Sequence, residues 1–252
     1  MDFFRILKSD FLKMKRTSFY YMHLGFPIIG AIVSLIYFKN SEQPPSMILW
    51  CFLEEVLLVF PIIIGVVSAM VIEQEMKAGR FREMLCSKYG REIHLSSKVC
   101  FLILMGAFSY ILTVVLFSTG FTLLSGKELL PLSAIFKLCI ITYLPIIVLY
   151  LFHIFLSIRF GLGMSIGVGI FEFLVEALFI TGLGDGIWFL VPCSMPSRMN
   201  GLFITIVTDT VRNTPFIGEY HFGLYGCMIY LVLITILLFL WFHYFEGRTQ
   251  VE

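Results

Sequence analysis

Long apolar runs separated by short polar stretches dominate this chain of 252 residues. Six of the runs approach or exceed the roughly 20 residues that a helix needs to cross the hydrocarbon core of a bilayer. Because a water-soluble fold could not hide so many consecutive apolar residues, the pattern predicts an all-α polytopic membrane protein with six transmembrane helices. The predicted spans are 20–38, 47–72, 99–124, 138–156, 161–183 and 223–244.

Composition and charge support this class and indicate an orientation. Hydrophobic residues make up 59% of the chain and charged residues only 14%, whereas about a quarter of a soluble domain is charged. The net charge of +1 provides no basic field for nucleic acid. Most lysines and arginines precede the first span or lie between spans two and three. The positive-inside rule therefore predicts a plasma-membrane protein with both termini in the cytoplasm.

The segment 1–18 has the pattern of an amphipathic helix. Phe4, Leu7, Phe11 and Met14 recur at helical spacing among lysines and arginines. This spacing predicts an interfacial helix lying along the inner leaflet. The alternative is a basic tail that only sets topology.

Two loops are longer than the others, and both belong to a single predicted transmembrane domain, 1–252. The non-cytoplasmic stretch 184–222 mixes proline, glycine and apolar residues too densely for a solvated linker. We expect it to fold back as short re-entrant or surface-lying helices.

The other long loop, 73–98, is cytoplasmic, basic and amphipathic. Gly79 and Gly90 punctuate it, which predicts helix, turn and helix. A linker between antiparallel spans needs only a few residues, so this segment is predicted to bind a partner or to lie on lipid. Its predicted apolar face consists of Phe81, Met84, Leu85 and Tyr89.

Four glutamates fall inside the predicted spans. Glu54 and Glu55 lie in the second span, and Glu172 and Glu176 in the fifth. The helical rise places Glu54, Glu55 and Glu176 about 10 Å below the outer surface. Because ionisable groups in a bilayer usually face a cavity or a partner, we expect an acidic patch that attracts cationic amphipaths. The alternative is that the glutamates are protonated or hydrogen-bonded between helices.

Apparent enzyme motifs in the chain have better structural explanations. Residues 163–167 spell G-x-S-x-G, but a hydrolase elbow needs a strand-to-helix turn with a histidine and an acid in reach. We expect Gly163 and Gly167 to allow close helix packing instead. Residues 182–185 spell the G-x-G-D of intramembrane aspartyl proteases, but no second aspartate falls within a span. The sequence therefore predicts no catalytic residue and no metal site.

The order of these parts resembles the ABC-2-type permeases, the membrane subunits of ABC exporters. The stretch 75–85 fits their cytoplasmic pattern E-x-x-x-G-x-(F/W)-x-x-(L/M)-L. Within that family, the stretch 181–188 (TGLGDGIW), followed by Pro192, Pro196 and Arg198, looks like the lantibiotic immunity permeases.

The resemblance implies a permease that pairs with an identical or a second permease and binds two cytoplasmic ATPase subunits. ATP and Mg²⁺ would bind those subunits and not this chain, and the substrate would be a cationic lantibiotic peptide expelled from the membrane. In such permeases 73–98 is the coupling helix, and the predicted contact residues are Arg80, Phe81, Arg82, Glu83, Met84, Leu85, Tyr89 and Arg91. The predicted substrate path comprises Glu54, Glu55, Glu172, Glu176, Asp185 and Trp188. The rival interpretations are a peptide sensor without turnover and an intramembrane hydrolase using Ser165 or Asp185.

Overall fold

A computed structural model describes residues 2–208 and 214–247. Every regular element in that part of the chain is helical. The α-helices are α1 (Asp2–Lys13), α2 (Phe19–Phe38), α3 (Pro45–Lys77), α4 (Arg82–Cys86), α5 (Arg91–Ser125), α6 (Leu132–Phe160), α7 (Leu162–Phe179), α8 (Met195–Thr208) and α9 (Thr214–His243). The long helices alternate in direction, so the bundle has two ends. We call the end that carries α1 and α4 the α1 end, and the opposite end, which carries α8, the α8 end.

Six helices are long and apolar enough to cross a membrane: α2, α3, α5, α6, α7 and α9. This confirms the predicted class and number of spans. However, α3 has 33 residues and α5 has 35. At about 1.5 Å per residue both are near 50 Å long, which exceeds the roughly 30 Å hydrocarbon core. Half of the segment 73–98 therefore continues α3 and α5, and residues 78–90 connect the two helices.

Local sequence explains where several helices begin and end. Proline occupies the first position of α3 (Pro45) and precedes α6 (Pro131), where a missing backbone N–H costs nothing. Gly126 ends α5 with a φ of 68°, the left-handed conformation that glycine adopts without strain. These signals keep the connections at the α8 end of the bundle short.

Helix α3 is the central element. It packs along α7 and α6, while α2 leans against α5 and α8 fits between α3, α6 and α9. The Phe52 ring of α3 stacks on Phe117 of α5 with centroids 3.7 Å apart. Aromatic stacking of this kind adds to the apolar area that these helices bury.

Close contact between α3 and α7 depends on glycines other than the predicted pair. A Cβ on Gly169 would lie 2.6 Å from the Pro61 carbonyl oxygen, and one on Gly65 would lie 2.7 Å from the Ser165 carbonyl oxygen. By contrast, a Cβ on Gly163 or Gly167 would meet nothing within 4 Å. The prediction that Gly163 and Gly167 pack against a helix of this chain is therefore wrong, because both face outward on α7.

Helix α1 packs against the bundle through much of its predicted apolar face, since Leu7, Phe11 and Met14 contact the core. Its buried residues are Ile6 and Asp10, and Met14 follows one turn later. Phe4 is 74% exposed, whereas Phe11 packs edge-on against Phe101 of α5 at 4.7 Å. The buried side of α1 thus includes a carboxylate, which an apolar periodicity does not mark.

The described part of the predicted stretch 184–222 forms short turns followed by two helices, and residues 209–213 of that stretch lie outside the described residues. Three 3-10 turns lead into α8, most of which is buried, and α9 already begins at Thr214. Trp188 is 2% exposed and packs with Met195, Met199 and Cys227. Its indole therefore belongs mainly to the core at the α8 end.

Candidate functional site

The connection between α3 and α5 is a tight turn held by a buried ring. Gly79, Arg80 and Phe81 all have positive φ angles, of 141°, 51° and 64°. A left-handed non-glycine residue costs on the order of 1 kcal/mol. The Phe81 side chain is 1% exposed and contacts the Phe245 ring at 5.9 Å, and its burial offsets this strain.

The surface of this connection is polar and not apolar. Phe81 and Met84 are each 1% exposed, and Leu85 and Tyr89 are half-buried. The prediction that Phe81 and Met84 form an open contact face is therefore wrong, because both side chains pack inside the chain. The exposed residues of this connection include Arg80, Arg82, Glu83 and Lys88.

Arg91, another predicted contact residue, holds the end of α9. Its guanidinium Nη1 donates to the carbonyl oxygen of His243 at 2.7 Å and to that of Phe245 at 3.2 Å. A cation at a helix C-terminus satisfies free carbonyls and complements the helix dipole. Arg91 thus links the start of α5 to the end of α9.

A network of charged side chains joins α1, α3, α4 and α5. Lys98 Nζ of α5 lies 2.5 Å from Asp10 Oδ1 of α1 and 2.5 Å from Glu75 Oε1 of α3, and all three side chains are 2% exposed. Lys13 Nζ of α1 lies 2.9 Å from the same Glu75 oxygen and 2.8 Å from Glu83 Oε2 of α4. Displacing α4 would therefore act on α1 and on the ends of two long helices.

Each charged group in this network lies beside a group of opposite charge. Burial alone would lower the pKa of Lys13, but its hydrogen bonds and proximity to Glu83 and Glu75 outweigh burial and raise that pKa. Asp10 also accepts from Ser97 Oγ at 2.5 Å. Buried ions are tolerated where each has opposite charge and hydrogen bonds close by. Sequence analysis missed this network, although Asp10 lies at i+4 from Ile6 and i−4 from Met14, the spacing of one helix face.

Glu172, His153 and Ser165 form a hydrogen-bonded chain that reaches α3. Ser165 Oγ donates to the Gly65 carbonyl at 3.0 Å, so it accepts from His153 Nδ1, also at 3.0 Å. His153 Nε2 lies 2.9 Å from Glu172 Oε2, and these two groups share one proton. A serine nucleophile must instead give its proton to the histidine. This chain of contacts therefore ties α3, α6 and α7 together and does not activate Ser165.

The membrane glutamates do not form the single open patch that was predicted. Glu172 bonds His153, and Glu176, fully buried, accepts from Ser197 Oγ of α8. Glu54 and Glu55 line separate cavities. Consecutive residues on a helix point about 100° apart, which separates Glu54 from Glu55. Hydrogen bonding between helices, the alternative interpretation, describes Glu172 and Glu176.

An acidic pocket of about 310 Å³ opens at the α8 end, and Trp188 contributes to its wall. Its charged residues are Glu54, Asp185, Glu219 and Arg198. Arg198 pairs with Asp185 at 2.9 Å and donates to the carbonyls of Phe179 and Thr181 at the end of α7. Within 2–208 and 214–247, no ion pair joins Glu54 or Glu219 to a basic residue. The pocket therefore carries more negative than positive charge.

Neither site has the donor set of a metal centre. Among the described residues, no group of three or more histidine, cysteine, aspartate or glutamate side chains is arranged to hold a metal ion.

Comparison with known proteins gives one match. A family described as "ABC-2 family transporter protein" matches residues 6–179, more than half of the chain. The match begins within α1 and extends to the end of α7. It ends before the stretch 181–198, which carries the resemblance to lantibiotic immunity permeases. No curated protein and no solved structure matches the chain.

Proposed function

This chain belongs to the ABC-2 family of transporter proteins, and on that premise we propose that it is a permease subunit of an exporter that expels lantibiotic-type peptides from the membrane. It is a multi-pass membrane protein and a transport component without a catalytic role of its own. Membership in the family implies an ATPase partner. ATP and Mg²⁺ would bind that partner, in two copies beneath a pair of permeases.

The α3–α5 connection is the proposed docking site for the ATPase. Its exposed side chains are mostly basic, and Glu83 within it contacts Lys13 of the network that reaches α1, α3 and α5. A movement of the ATPase against α4 would pass directly to the ends of two membrane-crossing helices. This charged linkage is the observation that carries the proposal. Docking of the ATPase there would require the α1 end to be cytoplasmic, which is the side that the positive-inside rule predicts.

Reversing two exposed charges in the connection should prevent docking. We expect Arg82→Glu combined with Lys88→Glu to reduce the ATPase that co-purifies with the permease by at least about tenfold, since like-charge contacts at an interface cost several kcal/mol. The measurement is affinity purification of the permease from membranes that contain both subunits.

The matched control is Lys39→Glu combined with Lys127→Glu, two exposed lysines at the α8 end. These changes should leave co-purification intact. Phe81→Asp is a poorer test, because a buried ring is lost and the fold itself is disturbed. Undiminished ATPase recovery with the Arg82 and Lys88 variant would refute the docking site.

The acidic pocket supports a cationic substrate. The three carboxylates of the pocket, Glu54, Asp185 and Glu219, outnumber its one basic residue, Arg198, and the pocket faces the predicted outer side. Complementary charge raises both the encounter rate and the specificity for a cationic peptide. A peptide leaving the membrane would therefore meet attractive charge at the α8 end.

Neutralising the pocket should weaken protection. We expect Glu54→Gln combined with Glu219→Gln to cause a severalfold decrease in the highest concentration of a cationic lantibiotic at which cells still grow. Glu128→Gln, an exposed change outside the pocket at the same end, should have no effect. Growth assays with equal membrane amounts of each variant make the comparison. Equal survival of the pocket variant and the wild type would contradict a role for the pocket.

A further inference from the structure

A second cavity lies within the membrane-crossing part of the bundle, away from the acidic pocket. It is a groove of about 330 Å³ between α2, α3 and α5, and most of its lining is aliphatic or aromatic. It is open toward the side of the bundle, because lining residues such as Phe26, Val33 and Val59 are 40–59% exposed. The groove is therefore accessible from the lipid or from a neighbouring subunit.

One end of the groove holds an acid. Glu55 lines it and is exposed, and its only hydrogen bond among the described residues is with Ser34 Oγ at 3.4 Å. A carboxylate in an apolar membrane environment is costly unless a cation or a donor reaches it. No basic side chain of this chain lines the groove apart from the imidazole of His23. An ionised Glu55 is therefore not compensated by any basic side chain that lines the groove, and a cationic ligand would supply that charge.

His23 gives independent evidence for a ligand. Its side chain lines the groove and is 3% exposed, and Nε2 has no hydrogen-bond partner among the described residues. Its Nδ1 lies 2.9 Å from the Phe19 carbonyl oxygen, which can only accept, so Nδ1 carries a proton. In the neutral ring Nε2 then presents a lone pair. An unpartnered buried acceptor of this kind costs free energy until a donor occupies the site.

The two polar positions define the ligand. His23 and Ser34 are eleven residues apart on α2, or about 16 Å by helical rise, with apolar side chains between them. We propose that this groove binds an amphipathic cation, with its ammonium group at Glu55, its apolar chain along the groove and a hydrogen-bond donor at its far end beside His23. This assignment rests on the proposed function, because the proposed substrate is itself a cationic amphipath and the groove would be one of its binding sites.

The test uses a defined probe and the permease alone in phosphatidylcholine nanodiscs. Dodecylamine carrying a photoreactive diazirine in its chain should label residues of α2, α3 or α5 that line the groove. Unlabelled dodecylamine should compete at least about tenfold better than dodecanol, since the charge at Glu55 is the main polar contact. Equal competition by dodecanol would overturn the assignment and leave a nonselective groove for lipid chains.

Two pairs of variants separate charge from shape. Glu55→Gln should make dodecylamine and dodecanol equal competitors, whereas Glu128→Gln, which changes an exposed glutamate outside both cavities, should not. Gly30→Leu should abolish labelling, because a Cβ there meets nothing within 4 Å and the side chain would enter the groove it lines. Gly25 lies on the same helix but does not line the groove, and a Cβ there also meets nothing within 4 Å. The Gly25→Leu variant should therefore be labelled as strongly as the wild type. Normal labelling of Gly30→Leu or unchanged selectivity of Glu55→Gln would overturn the proposal.

A third comparison tests His23. The ligand ω-hydroxydodecylamine carries a donor at the far end of its chain and should compete better than dodecylamine, by roughly the fivefold that one hydrogen bond provides. This advantage should disappear in His23→Phe, and an advantage that persists would contradict the assigned orientation. These labelling experiments contain no ATPase. A negative result would therefore argue against the ligand site alone and would not bear on the ATPase docking site.

Discussion

Replacing Lys98 with methionine should destabilise the chain by about 3–5 kcal/mol, the cost of leaving a buried charge without its partner. Lys98 is the one cation within 4.0 Å of Asp10 among the described residues, and both side chains are 2% exposed. Glu75 would still keep Lys13 at 2.9 Å. Most of the loss therefore arises at Asp10, which would remain buried with only the Ser97 hydroxyl as donor.

The measurement is the free energy of unfolding in mixed micelles, followed by circular dichroism as sodium dodecyl sulfate is added. Lys127→Met makes the same chemical change at an exposed position of the α8 end and should alter the free energy of unfolding by less than about 0.5 kcal/mol.

A compensating change isolates the cause. Asn at position 10 can still accept from Ser97 but needs no cation, so Asp10→Asn combined with Lys98→Met should recover most of the lost free energy of unfolding. If the double variant is no more stable than Lys98→Met alone, the loss comes from packing of the lysine chain and not from the unpaired charge.

The membrane-crossing helices could be predicted because their signal lies within each helix. An apolar run of sufficient length needs no information about neighbours, and all six predicted spans correspond to helices of the structure. Their ends were harder to predict. Polar residues such as Glu75 and Lys98 interrupt the apolar pattern, yet α3 and α5 continue through them, because the two side chains compensate each other 2.5 Å apart.

The surroundings of the charged residues could not be predicted, since they depend on how helices are rotated about their axes. Depth along the helix placed Glu54, Glu55 and Glu176 at a similar level, but depth does not say which side chains face one another. Glu172 meets His153 of α6 and Glu176 meets Ser197 of α8. Both partners lie on other helices, so no short sequence pattern records these contacts.

The α3–α5 connection shows the same limit. The sequence pattern placed Phe81 and Met84 on one apolar face, and both side chains are buried in the structure. The sequence did not indicate what covers it. The cover is the chain itself, through Phe245 after α9, and this contact joins residues far apart in sequence. An apolar stripe therefore predicts burial, whereas the exposed charges beside it indicate where a partner would bind.

Gly169→Leu should strongly destabilise the membrane-crossing region, because the backbone of α3 lies directly against this position of α7. A Cβ at position 169 would lie 2.6 Å from the Pro61 carbonyl oxygen and 3.2 Å from Ile62 Cα, both backbone atoms of α3 that cannot rotate away. Overpacking typically costs 1–3 kcal/mol, and more where the backbone must move. We expect a loss of at least about 3 kcal/mol in the free energy of unfolding.

The matched control is Gly167→Leu in the interior of the same helix, where a Cβ meets nothing within 4 Å. Both variants add the same side chain and remove one glycine from the same helix, so intrinsic helix propensity cancels between them. Their difference measures the contact of α7 with α3. Equal free energies of unfolding for the two variants would mean that α7 does not pack on α3 through Gly169.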